Sequence, residues 1–338
     1  VKQVPELYKL GYLASDATIP TRLLEDSLAV LLFEALQESF TGHLPDVVLT
    51  TYPLYQSAVT LFYRLRKIHI PFFSVVTDLS TVHRLWFHKK VDGCMVPNEI
   101  VASLATANGL PVDKVHLTGI PVSPDIHNEN RPADSIRAEL GWQPGLTTIL
   151  AVGSSRTAKI LDAVNVINHY GAKMQLAVVA GKNEELYQEL NQMRWHIPVQ
   201  LFDFVDRVPI LMKASDLILC KAGGLIVTEA LACGLPMVLT DIIPGQETGN
   251  AEYVINAQAG VVAETPLAMM EAIHHFMADE QKLLREYAAH ARAIGKPEAA
   301  FDAAAILWKA GKEHAARKDA CRAHGVRSAH LPLEGAKQ

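Results

Sequence analysis

Short apolar runs alternate along this chain with longer stretches whose apolar positions recur at helical spacing. Residues 21–40 (TRLLEDSLAVLLFEALQESF) set apolar side chains on one side and acidic ones on the other, which predicts an amphipathic helix. PDVVLTTYP (45–53) predicts a short strand entering a loop, and QSAVTLFYRLRKI (56–68) a helix. IPFFSVVTD (70–78) is largely apolar and closes on polar residues, the pattern of a strand covered on both faces in a parallel sheet. VDGCMVPN (91–98), EIVASLATANG (99–109) and KVHLTGIPV (114–122) continue as strand, helix and strand. Such alternation predicts a doubly wound parallel α/β sheet.

Residues 121–145 break the rhythm with four prolines and many polar side chains, and predict a linker holding one short helix. A second alternation follows, with strands at 147–153, 174–181, 199–205, 217–221, 236–241 and 260–265. Residues 266–311 read as mostly helical, with Phe301, Ala304, Ala305 and Trp308 on one face that would dock on something apolar. From Lys312 no periodicity is sustained, and a mobile tail is expected. The expected organisation is an N-terminal Rossmann-like domain over 1–125, a C-terminal one with terminal helices over 126–311 and a tail over 312–338, the two sheets facing across a cleft. The opening VKQVPELYKLGYLASD holds no strand-glycine-helix unit, so the N-terminal sheet is expected to lack its first strand and loop through truncation or processing.

Composition narrows the class. With 49% hydrophobic and 20% charged residues the balance is that of a globular protein, and a formal net charge of −5 argues against a protein that coats nucleic acid. Cys94, Cys220, Cys233 and Cys321 form no CxxC pair and suit neither a zinc site nor a disulfide framework. Buried thiols in a reducing cytosol are expected. No metal-ligand spacing occurs, His274-His275 included, no apolar run is long enough to span a membrane, and the start carries no secretory pattern.

Three segments carry candidate chemistry. In LILCKAGGLIVTEALACGLP (217–236) a strand feeds into Gly223-Gly224 and then a helix. Glycines let backbone amides approach a ligand, and a helix start favours an anion; a tight strand-to-helix turn needs the same glycines. Glu229, about a turn and a half into that helix, can accept hydrogen bonds from two vicinal hydroxyls just beyond a diphosphate. DIIPGQETGN (241–250) brings Gln246, Glu247 and Asn250 to the end of the next strand, where open α/β sheets bind ligands. The two loops in succession favour a sugar nucleotide. TDLSTVHRLWFHKK (77–90) gathers Asp78, His83, Trp86, Phe87, Lys89 and Lys90. Aromatic rings beside lysines suit a water-lipid interface, and Asp78 or His83 can serve as a general base or orient one.

The motifs VTDLSTVHRLWFHKKVDGCMVPN, GIPVSP, DFVD, KAGGLIVTEALACGLPMVLTD and IPGQETGN, in this order and spacing, resemble the monogalactosyldiacylglycerol synthase and processive diacylglycerol glucosyltransferase family. More distantly they resemble the enzyme that adds N-acetylglucosamine to the lipid-linked peptidoglycan precursor. The resemblance implies a GT-B-type fold of two Rossmann-like domains and inverting transfer of a hexose, galactose or glucose, from a UDP-sugar to diacylglycerol. By position it places Phe204-Val205 at the uracil, Gly223, Gly224 and Leu225 at the diphosphate and Glu229 at the ribose. It places Gln246 and Glu247, with Asn250 beside them, at the sugar, and Asp78, His83 and Trp86 toward the acceptor. Retaining relatives commonly carry a second Glu eight residues before the one matching Glu229; Lys221 stands there, which favours inversion.

Two departures stand out. AVGSSRTAK (151–159) has one glycine where the family has a glycine-rich loop, leaving Gly153, Ser154, Ser155 and Arg156 as the groups for phosphate. The family's N-terminal glycine-rich loop with its His has no counterpart. The implied partners are a UDP-hexose, diacylglycerol or a related lipid and an anionic membrane surface, with no nucleic acid, cofactor or metal. A cytoplasmic protein lying peripherally on the membrane is expected. The alternatives are a UDP-sugar 2-epimerase, or a non-catalytic sugar-nucleotide-binding protein if the N-terminal segment is absent.

Overall fold

The computed structural model describes residues 32–40, 44–153, 159–245 and 247–323. They divide into two compact units, the first gathering the residues up to Pro121 with those from Phe301, the second running from Val122 to Ala300.

The first unit is a parallel sheet of β1 (Val48–Thr50), β2 (Phe72–Val75), β3 (Gly93–Val96) and β4 (Val115–Leu117), in that order. β2 and β3 are buried along their whole length, as their continuous apolar runs predict. Side chains alternate across β2. Phe72 joins Phe62, Tyr63, Val96 and Val101 in one cluster, whereas Phe73 and Val75 join Met95 on the other face. Helix Tyr55–Arg66 supplies Val59, Phe62 and Tyr63 to the first cluster and stops at Lys67, which turns left-handed with φ 52°. Helix Glu99–Ala107 starts on Asn98, whose side-chain oxygen accepts from Val101 N at 3.1 Å, a cap worth about 1 kcal/mol.

The second face of that sheet is covered by the long helix Ala299–Ala323. It docks through Ala303, Ile306, Leu307 and Ala310, with Lys318 pairing to Asp46 at 3.0 Å. This corrects two expectations. The face of Phe301, Ala304, Ala305 and Trp308 points to solvent, Trp308 being 68% exposed, because the helix packs its alanine and aliphatic side chains, not its rings, against Phe73 and Val75. And the chain from Lys312 to Ala323 continues this helix instead of forming a tail, held by buried His314 and the Lys318 ion pair.

The second unit is a six-stranded parallel sheet of β5 (Thr147–Val152), β6 (Met174–Val179), β7 (Val199–Phe202), β8 (Leu217–Lys221), β9 (Met237–Asp241) and β10 (Gly260–Val262). Its order, β10-β9-β8-β5-β6-β7, reverses direction between β5 and β8, the Rossmann arrangement whose ligand crevice opens at the carboxyl ends of those two strands. The expected linker folds into this unit as two helices. Ile126 of Pro124–Asn128 packs with Val122 and Ala232, and Arg137 of Ala133–Glu139 pairs with Asp216 at 2.8 Å and donates to Ala214 O. Two of its four prolines, Pro124 and Pro132, sit at helix starts, where no N–H is missed. Helix Val208–Lys213 also forms without having been predicted.

Candidate functional site

The turn leaving β8 is held from both sides. Ala222 N donates to Asp241 O at 2.9 Å, and Asn250 Nδ2 donates to Ala222 O at 3.1 Å. Gly223 follows as the cap of helix Gly224–Ala232, and among the described residues no side chain satisfies the amides of the first turn. Those N–H groups stay available to an anion. Leu225 in that turn is exposed. Glu229, farther along, is half-buried and forms no side-chain hydrogen bond or ion pair among the described residues. Burial pushes its carboxyl above the usual carboxylate range.

The loop after β9 comes back to this turn. Glu247 is almost fully buried, with Oε1 on Lys221 Nζ at 2.8 Å and Oε2 accepting from Ile243 N at 3.1 Å. Asn250 is buried on the Ala222 carbonyl. Gln246 lies outside the described residues. So do Ser154, Ser155 and Arg156 after β5. Gly153 ends the described part of that loop. A Cβ there would stand 2.7 Å from Leu186 and 3.3 Å from Val179 O, so close packing of helix Glu184–Gln192 requires the glycine. Lys159 at the loop's far end pairs with Glu264 at 2.7 Å and Asp241 at 3.6 Å. Phe204 and Val205 follow β7, three strand spacings or roughly 14 Å from β8. The exposed Phe204 ring carries Lys182 Nζ at 4.0 Å.

In the first unit Asp78 Oδ2 accepts from Trp86 Nε1 at 3.2 Å, and burial raises its carboxyl above the usual range against that hydrogen bond. His83 is buried and its Nδ1 accepts from Leu85 N at 3.2 Å, capping the short turn Arg84–Trp86. Trp86 is 3% exposed and Phe87 is equally interior, both packed among Val59, Phe62 and Val91. That corrects their assignment to a lipid interface: the turn folds both rings into the sheet's own core, whereas Lys89 and Lys90 stay exposed. Gln56 is a residue that sequence reasoning missed. Fully buried, it donates to Leu85 O and Trp86 O at 3.2 Å each and holds the turn in place. Lys221 was read only as the residue replacing a Glu, yet its position two residues before Gly223, at the end of the strand, is the signal for its place here.

Among the described residues no group of His, Cys, Asp and Glu could hold a metal ion, and no helix is long and apolar enough to cross a membrane.

Residues 1–122 match the family model for monogalactosyldiacylglycerol (MGDG) synthase, and residues 133–294 that for glycosyl transferases group 1. The probable monogalactosyldiacylglycerol synthase 2 of Oryza sativa subsp. japonica, a chloroplastic protein, is 33% identical over 76% of this chain. The chain belongs to the monogalactosyldiacylglycerol synthase family. It spans 57% of the rice protein's length and 59% of that of the spinach monogalactosyldiacylglycerol synthase. Acinetobacter baumannii MurG shares the fold with TM-score 0.57 at 18% identity, over 84% of this chain and 77% of that one. The UDP-GlcNAc 2-epimerase of Neisseria meningitidis, solved with UDP-GlcNAc, gives TM-score 0.59 at 18% identity, over 86% and 81%. At such identity these likenesses carry the fold alone: this member of the monogalactosyldiacylglycerol synthase family has the GT-B fold, as its motifs predict.

Proposed function

We propose that this chain transfers a hexose, galactose or glucose, from a UDP-sugar to diacylglycerol with inversion, while lying peripherally on an anionic membrane surface. The observation that carries the reading is the exit of β8. An uncapped helix start follows Gly223, and Glu229 waits farther down the same helix, half-buried with no partner among the described residues. Amides for a diphosphate and a carboxylate for the two ribose hydroxyls stand in the order in which a nucleoside diphosphate presents those groups. Phe204, exposed beyond β7, offers a ring face to the base, and Leu225 contributes its amide to the phosphates.

In the reaction the acceptor hydroxyl oxygen forms a bond to the anomeric carbon as the bond from that carbon to the diphosphate oxygen breaks. The electron pair leaves with UDP and the hydroxyl proton goes to a base. Asp78 is our candidate, because a carboxylate raised by burial is a better proton acceptor than an exposed one; His83, engaged on Leu85 N, is the second. Lys89 and Lys90 are the exposed cations of that segment for an anionic surface.

The test is to incubate the full-length protein with UDP-galactose or UDP-glucose and diacylglycerol-containing vesicles. A hexosyl lipid and stoichiometric UDP are expected. No glycolipid from either donor would overturn the proposal; altered UDP-sugar without lipid would indicate an isomerase, and binding without turnover a sugar-nucleotide-binding protein.

A further inference from the structure

Glu247 can be read as a direct ligand of the sugar, but its surroundings argue otherwise. Its side chain is 5% exposed and each oxygen already has a donor, Lys221 Nζ on Oε1 and Ile243 N on Oε2. Lys221 is the accessible member of the pair, 31% exposed, and an ammonium with one of its three donors on Glu247 keeps two for a ligand. The sheet is irregular at this point. The β8–β9 register shifts between Cys220 and Lys221, so that Lys221 stands opposite Asp241 instead of Thr240. Such irregularities re-aim side chains at sheet ends. The ammonium then lies against Gly223, where a Cβ would stand 3.2 Å from Nζ and 3.0 Å from Cε. Gly223 therefore makes room for this lysine as much as for any ligand.

We propose that Lys221 is the side chain that meets the nucleotide's diphosphate, and that Glu247 is its positioning residue, a deepening that rests on the UDP-sugar reading above. As the bond to the anomeric carbon breaks, negative charge grows on the diphosphate oxygen. A fixed ammonium stabilises it without transferring a proton. Lys159, tied to Glu264 and Asp241, is already neutralised by two carboxylates.

The test is calorimetric titration of the full chain with UDP and with UDP-hexose at low and moderate salt, for the wild type, K221M, K221R, E247Q and the double variant K221M/E247Q. K221M should weaken UDP and UDP-hexose alike by tenfold or more, roughly the loss of one charge-assisted contact, and flatten the salt dependence. K221R should recover part of that affinity. E247Q should weaken both ligands by about threefold. The double variant removes both charges, leaves no lone buried carboxylate and should keep its melting temperature while binding no better than K221M. Unchanged UDP affinity in K221M or in the double variant overturns the proposal. So does an E247Q effect confined to UDP-hexose, which would make Glu247 a sugar ligand. A wild type that binds no UDP overturns the underlying reading itself, a result distinct from both.

Discussion

Asp78 and Glu229 are both half-buried carboxylates near the carboxyl end of a parallel strand, and desolvation holds both above the usual carboxylate range. Their surroundings differ. Asp78 sits in a largely completed hydrogen-bonded structure: Trp86 donates to it, Gln56 holds the Trp86 and Leu85 carbonyls with only its Oε1 left without a partner among the described residues, and Asn98 Nδ2 fastens Leu79 O at 2.7 Å. Glu229 stands in an unfinished one, below a helix start with no side-chain cap and beside exposed Leu225. A loop whose polar groups mostly have partners is held in place before any ligand arrives. A loop that leaves donors and acceptors unmet is one whose hydrogen bonding a ligand would complete.

The largest effect expected is at Trp86. Replacing it with alanine should cost about 3–5 kcal/mol in chemical denaturation, as for other buried aromatic residues. If its main role were lipid contact, W86A would lose vesicle binding with stability intact, and the contrast between the two loops would fail. Next comes Glu229→Gln, which should reduce UDP affinity by about 2 kcal/mol, near thirtyfold, through the loss of hydrogen bonds to a charged acceptor. Its stability should move the other way. The native carboxyl is raised above its unfolded value, so between those two values the native state binds more protons, and stability falls as pH rises through the window. E229Q lacks that penalty. It should melt at or above the wild-type temperature at neutral pH and coincide with it at acid pH. A variant that loses stability and UDP affinity together would make Glu229 a structural residue.

What was legible in the sequence follows the physics of each element. Apolar runs closing on polar residues located β2, β5, β8 and β9, which are buried over nearly their whole length, whereas the partly exposed β1, β4, β7 and β10 were legible as shorter apolar segments between helices. Gly223-Gly224 after such a run located the exposed helix start. The C-terminal helix was misread because periodicity cannot choose a face when alanines occupy 10 of its 25 positions and recur on every side; Ala303, Ile306, Leu307 and Ala310 fit the sheet and Trp308 does not. Trp86 and Phe87 were misread because adjacency to Lys89 and Lys90 in sequence says nothing of the turn at Arg84–Trp86 that sends both rings inward. The Lys221–Glu247 pair joins residues from successive strand exits, a contact that only the register of β8 on β9 brings about.

With the rings inside, Lys89 and Lys90 alone carry the membrane reading of that segment. Changing both to serine should weaken partition onto anionic vesicles by roughly fivefold per lysine at low salt, with little change on neutral vesicles. If the lysines prove silent and Trp308→Ser lowers partition instead, the lipid contact belongs to the outer face of the C-terminal helix. The smallest shift, and the sharpest test of the comparison, is the stability of Asp78→Asn. Asparagine keeps an acceptor for Trp86 Nε1 and removes the charge that burial disfavours. The native carboxyl of Asp78 is raised, so its contribution is fully present below the unfolded value and is lost as pH rises through the native one. Melting curves of D78N should thus match the wild type in acid, lie slightly above it at neutral pH and show a flatter pH dependence between. Glycolipid formation should nevertheless collapse if Asp78 accepts the acceptor's proton, because an amide cannot. Undiminished activity in D78N would leave the carboxylate a structural partner of Trp86 and pass the base to His83; lost stability at every pH would mean that the Trp86 hydrogen bond outweighs the desolvation it opposes.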